Sequence, residues 1–239
     1  MNDTSLEGLL KQYNSNSLKQ IYTSMPGRVI NVDLEEQIAD IQPLIEKVLP
    51  NEQTQAIQPI LSVPIIFPAS KNSQLSFPVS VGDTVLLVFC QRDIDNFKLG
   101  SERTHRPNTF RKLSVNDAVA IPGLFSIPQG RNNPSKRTLP HSVEDMSVTN
   151  NIGTSSENEV RMKSDGSVEI NLASNAPVTI NIGGNQVFQI TSSGITSTVP
   201  ITAPDVLTES GVSLLNHTHN QAKDSGNDSE EPTLAPNPS

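Results

Sequence analysis

The stretch that decides the architecture is EVRMKSDGSV (residues 159–168), EINLASNAPV (169–178), TINIGGNQVF (179–188) and QITSSGITST (189–198). Set in tens, its second column reads Val160, Ile170, Ile180, Ile190, and its fourth Met162, Leu172, Ile182, Ser192. The tenth column is Val168, Val178, Phe188, Thr198, and the sixth is small throughout: Ser164, Ser174, Gly184, Gly194. A fixed period of small turns and β-branched positions predicts short stacked strands in a one-dimensional β architecture. Side chains along a strand alternate between two faces. Every strongly apolar residue of the first three tens except Val187 is even-numbered, so one face collects them. A lone chain would leave that face in water. The pattern therefore predicts an obligate oligomer, and one apolar face per strand suffices for three chains to wrap a common axis. After Gly194, which permits a bulge or turn, the parity shifts to Ile195, Val199 and Ile201.

Toward the C-terminus, Val206, Val212, Leu214 and Leu215 lead into His217-Thr218-His219. In an extended strand both imidazoles face one way. One chain offers a metal two nitrogens; three chains around an axis offer six, an octahedral cage. That donor set suits a first-row transition metal, Fe(II) or Ni(II), better than tetrahedral zinc or oxygen-seeking calcium. The segment from Gln221 to Ser239 is acidic and Pro-rich and has no core-forming pattern.

Toward the N-terminus, residues 126–150 are rich in Pro, Asn, Ser and Arg and read as a linker or extended collar. Residues 25–125 read as short strands with turn punctuation: Arg28 to Asp33 and Gln37 to Gln42 alternate, Val63 to Phe67 is apolar but carries Pro64, which suits an edge or a strand start, Phe77 to Asp83 leads into the strongest strand, Thr84 to Cys90, and Ala118 to Gly123 closes the set. This spacing predicts a small barrel or sandwich. Residues 3–21 carry Leu6, Leu9, Leu10, Tyr13, Leu18 and Ile21 at helical spacing, with Asp3 or Thr4 as a cap. The organisation is thus a helical segment (1–24), a barrel (25–125), a collar (126–150), a β needle (151–205) and an apex with an acidic tail (206–239).

Composition narrows the function. Both Tyr and six of the seven Phe lie at or before Phe125, so only the first half can build a core unaided. The formal charge of −8 argues against general nucleic-acid binding. Between Lys98 and Arg137 there are eight basic and two acidic residues, but only Phe110 and Phe125 could stack on bases. That stretch reads as a contact surface for other proteins or as a plain solvated surface. The single Cys90, after Val85-Leu86-Leu87-Val88-Phe89, reads as a core residue and not a nucleophile. Asp93 and Asp95 follow a strand with no sign of a cleft, and Gly183-Gly184 lacks the Lys and helix of a phosphate loop. His105 and His141 read as surface residues. No catalytic residue is predicted, and the chain is read as non-enzymatic. The N-terminus lacks a signal-peptide pattern, and no apolar run is long enough to span a bilayer.

With these residues in view, a family resemblance emerges. The ending ESGVSLLNHTHN (209–220) resembles the apex of the central spike of contractile-tailed bacteriophages, a build shared with type VI secretion spikes. VPIIFP (63–68) and LSFPVSVGDTVLLVFCQRDIDNF (75–97) resemble the barrel at the base of such spikes. The resemblance extends, as an order of domains, over nearly the whole chain, and points to the short membrane-piercing spikes without a lysozyme module. It implies an all-β fold: an oligonucleotide/oligosaccharide-binding (OB) barrel, then a trimeric intertwined β-helix needle with a metal-capped apex. It also implies one iron (Fe2+) per homotrimer, held by His217 and His219 of each chain. The expected location is the virion, at the tip of the tail baseplate, after synthesis in the host cytoplasm without a signal peptide. The expected partners are baseplate and tail-tube proteins at the N-terminal region, and the host outer membrane in transit. A trimeric adhesin binding a surface glycan, and an OB-type nucleic-acid binder, are the alternatives.

Overall fold

The computed structural model describes residues 5–18, 21–49, 52–100, 103–206 and 213. The chain forms two compact units, residues 1–132 and 133–239, each taken by itself below.

In the first unit a helix, α1 (Leu6–Leu18), precedes nine strands. Its start is set by Ser5, whose Oγ accepts the Gly8 N–H at 3.1 Å, and the expected caps Asp3 and Thr4 lie outside the described residues. Leu6, Leu9, Leu10 and Tyr13 remain exposed. The strands are β1 (Ser24–Asp33), β2 (Ile38–Pro43), β3 (Lys47–Val48), β4 (Thr54–Gln55), β5 (Ile60–Pro64), β6 (Ala69–Ser70), β7 (Ser73–Gln74), β8 (Thr84–Phe89) and β9 (Ala118–Pro122). Five of them make an antiparallel sheet in the order β5-β2-β1-β8-β9. The sheet curls until its two ends meet. Ile65 forms a parallel bridge with Ala120, and the Ile66 N–H donates to the Ala120 carbonyl at 2.8 Å.

Alternation explains the closure. In β2 and β8 every second residue is buried, and Ile41, Val85, Leu87 and Phe89 point inward to meet Val29 and Val63. Each such side chain contributes about 1.5–3 kcal/mol on burial. A β-bulge between Val29 and Asn31 leaves Ile30 exposed and passes the next inward place from Asn31 to Val32, which packs against the core. Gly27 lies where two large neighbours cross: a Cβ there would sit 2.5 Å from Ile41 Cγ2 and 2.9 Å from Leu87 Cδ1. Residues 77–83, which lead into β8, are irregular; Phe77 packs edge-on against Phe67 at 5.2 Å, and Val79 is buried. Between the paired strands β8 and β9 runs a long excursion carrying the short helix α2 (Asp95–Leu99).

The second unit holds two antiparallel meanders. β10 (Met146–Asn150), β11 (Asn158–Met162) and β12 (Val168–Leu172) form the first; β13 (Val178–Ile182), β14 (Asn185–Thr191) and β15 (Gly194–Ser197) form the second. β11, β12 and β13 begin ten residues apart, as the repeat in the sequence requires. β10 lies within the stretch read as a collar and is the first strand of the first sheet. The described residues are all-β apart from α1, α2 and two short 3-10 turns. No helix among them is long and apolar enough to cross a membrane.

Candidate functional site

The feature of the second unit that calls for explanation is an inversion. Register places Met146, Val148, Val160, Met162, Val168 and Ile170 side by side on one face of the first meander. That face is open: Val160 is 39% exposed, Ile170 58% and Val168 66%. The opposite face carries Thr149, Glu159, Arg161, Glu169 and Asn171, and there Glu159 is only 3% exposed. The polar side is buried within the chain and the apolar side is bare.

Residues 137–142 cover the polar face. Arg137 Nη1 donates to Thr149 Oγ1 at 3.0 Å and lies 3.8 Å from Glu159 Oε2. Glu159 also pairs with Arg161 and accepts Asn171 Nδ2 at 3.0 Å. Arg161 reaches Glu169 at 3.5 Å, and Glu169 takes Lys163 Nζ at 3.1 Å. Signs alternate along the row, so each charge has an opposite neighbour where desolvation would otherwise be costly. The hydrogen bond from Asn171, then that from Lys163, lowers the Glu169 carboxyl; Glu169 in turn raises Lys163.

Glu157 anchors the cover. It is fully buried, and its Oε2 accepts the N–H groups of Thr138 and Gly153, each at 2.7 Å. Burial pushes its carboxyl up, but the N–H groups of Gly153, Thr138 and Leu139 and the charge of Arg137 outweigh that, leaving it below the ordinary value. Gly153 has φ +78°, and a Cβ there would stand 2.7 Å from the Lys136 carbonyl oxygen, so the turn needs glycine.

The second meander repeats the apolar face with Val178, Ile180, Phe188, Ile190 and Ile195. Two details of the sequence resolve here. Val187, the exception to the even rule, is the extra residue of a β-bulge between the Ile180–Phe188 and Asn181–Gln186 pairs. The parity shift comes from the two-residue loop Ser192-Ser193, which pairs odd Ile195 with even Ile190. Gly183 and Gly184 form the two-residue turn between β13 and β14 with φ +59° and +80°, the positive values such hairpins demand.

In the first unit Asp93 and Asp95 join Asp117 around Arg111. Its Nη2 lies 3.4, 2.8 and 3.0 Å from the three carboxylates, and its Nε donates to Asp117 at 3.1 Å. Hydrogen bonds from Thr109, then from the Asp95 N–H, lower the Asp93 carboxyl. The three carboxylates could together hold a cation, and the guanidinium is that cation. The knot ties the β8–β9 excursion to the end of β8, where the Cys90 N–H donates to the Asp117 carbonyl at 2.7 Å. Cys90 itself is half-buried, and burial, then Asp117, raises its thiol.

The structure corrects His141. Expected on the surface, it is buried, and its Nδ1 donates to the Ser142 carbonyl within the covering segment. His105 is half-buried. His217 and His219 lie outside the described residues. The charge row on the first meander was missed in the sequence. Its signal was the odd numbering of Glu157, Glu159, Arg161 and Glu169, the mirror of the even apolar set.

Residues 25–123 match the family model described as phage protein Gp138 N-terminal domain. The match covers the five-stranded sheet and less than half of the chain, and makes this unit similar to the N-terminal domain of a phage protein. No curated protein matches the chain.

Proposed function

We propose that this chain is the central spike of a contractile phage tail, a homotrimer that pierces the host outer membrane mechanically and performs no enzymatic reaction. The similarity of residues 25–123 to a phage protein domain supports a structural role in a phage tail or baseplate, and with it a place in the virion. The observation that carries the finer reading is the inversion in the second unit. An apolar face left bare by a chain that has buried its own charged face needs cover from outside. Two further copies offer the same face, and a shared threefold axis would bury all three in an intertwined β-helix. In the first unit the sheet order β5-β2-β1-β8-β9, with its ends joined at Ile65 and Ala120, supports an OB-type barrel. That barrel would seat the spike against baseplate and tail-tube proteins.

At the apex, His217 and His219 of three chains would supply six imidazole nitrogens, a donor set that fits iron(II). When bound, the ion links three chain ends where fraying is otherwise easiest. The test is elemental analysis of the purified protein. One iron per three chains is expected, and none after His217→Ala with His219→Ala, with the oligomer intact. Full metal content in that variant would refute the ligand assignment.

A further inference from the structure

Ile170 to Pro204 contains 35 residues and not one Asp, Glu, Lys, Arg or His, although charged residues make up 18% of the chain. The 35 residues before it, 135–169, hold ten charged side chains. The uncharged run is bounded by Glu169 on one side and Asp205 on the other. The run begins inside β12, directly after Glu169, the last charged residue of the first meander, and the second meander lies wholly within it. On the polar face of that meander are Thr179, Asn181, Gln189, Thr191 and Thr196.

Two of these, Gln189 and Thr191, and the neighbouring Ser197 and Thr198 hydrogen-bond within the chain. Thr191 Oγ1 donates to the Gly194 carbonyl at 3.0 Å, Thr198 Oγ1 to Gln186 at 2.9 Å and Ser197 Oγ to Val199 at 2.7 Å. Gln189 Nε2 donates to Gln186 Oε1 at 3.4 Å. A hydroxyl whose proton is already placed on a protein oxygen loses less on leaving water. An ionised side chain has no such escape in hydrocarbon. The first meander, with its row of Glu, Arg and Lys, presents the opposite case.

We infer that Ile170–Pro204 is the length of shaft that occupies the lipid hydrocarbon, with the charged first meander on the near side and the acidic segment from Asp205 in water beyond. The partner is the acyl interior of a bilayer, and the flanking charges set the depth at which the shaft comes to rest. This inference rests on the piercing function proposed above and adds to it which residues meet lipid.

Three variants of the full chain, each carried into phage particles in place of the wild type, test it. Asn181→Lys and Thr196→Lys put a charge on the outer face within the run; Ser155→Lys puts one on an exposed turn of the first meander. Each is first confirmed to keep the wild-type oligomeric state and melting temperature, which separates a lipid effect from misfolding. Infectivity is expected to fall about tenfold or more for the two charges within the run and to stay at the wild-type level for Ser155→Lys. Equal, undiminished infectivity for all three would overturn the inference while leaving the piercing function standing. An equal loss in all three would overturn it too, because position along the shaft would then not matter.

Discussion

The strands β8 and β11 obey the same rule of alternation and reach opposite outcomes. In β8, Val85, Leu87 and Phe89 are 1%, 0% and 4% exposed. In β11 the buried residue is Glu159, while its neighbours Val160 and Met162 stand open. The difference lies in what each sheet finds to cover it. The first unit bends its sheet until the ends meet, so the apolar face becomes its own interior. A three-stranded meander is too narrow to close on itself. It uses residues 137–142 to cover its charged side, and its apolar side stands open among the described residues, the face that the proposed assembly would cover. Alternation therefore tells which side chains share a face, and closure tells which face is inside.

The most severe way to break this contrast is Ile180→Asp. Ile180 is 53% exposed in one chain, so in a monomer this change would be nearly neutral. If three copies meet on that face, it places three carboxylates at one axis and assembly is lost. Size-exclusion chromatography with light scattering reads the difference, and Leu61→Asp, at a 65% exposed position of the first unit, is expected to leave the assembly unchanged. Next in size is Leu87→Ala, which hollows a closed core and is expected to destabilise the first unit by about 2–5 kcal/mol in denaturant titration, with the oligomeric state of the second unit retained.

The smallest effect sharpens the contrast by pH. The Glu157 carboxyl is held below its ordinary value of 4.5 in the folded chain. Its contribution is therefore fully present above about pH 4.5 and is lost as pH falls through the lowered folded value. Glu157→Gln is expected to destabilise the second unit by about 1–3 kcal/mol near neutrality. The gap to wild type should narrow as the pH is taken below that range. Thermal unfolding across pH measures it, and a gap independent of pH would show that the charge on Glu157 does not anchor the cover.

Much of this was legible in the residues. The barrel strands were legible because Arg28 to Asp33 and Gln37 to Gln42 alternate and Val85 to Phe89 is a short unbroken apolar run, although which of its residues face inward was not. The ten-residue repeat gave the starts of β11, β12 and β13. Val187 was visible only as an exception, since a bulge is a property of pairing and not of one strand. β10 was hidden because Met146 and Val148 are just two apolar positions among polar ones. The Arg111 knot could not be read at all: Asp93, Asp95, Arg111 and Asp117 are brought together by the return of the chain to β9, which spacing does not encode. His141 was misread for the same reason, its polar, Pro-flanked surroundings in sequence being unlike its surroundings in space.

The central claim is that the open apolar face of the second unit is covered by two more copies of the same chain. Sedimentation equilibrium of the intact protein over a range of concentrations tests it most directly. A single species with three times the mass of one chain, undissociated on dilution, is the predicted result. A folded species with the mass of one chain would contradict it.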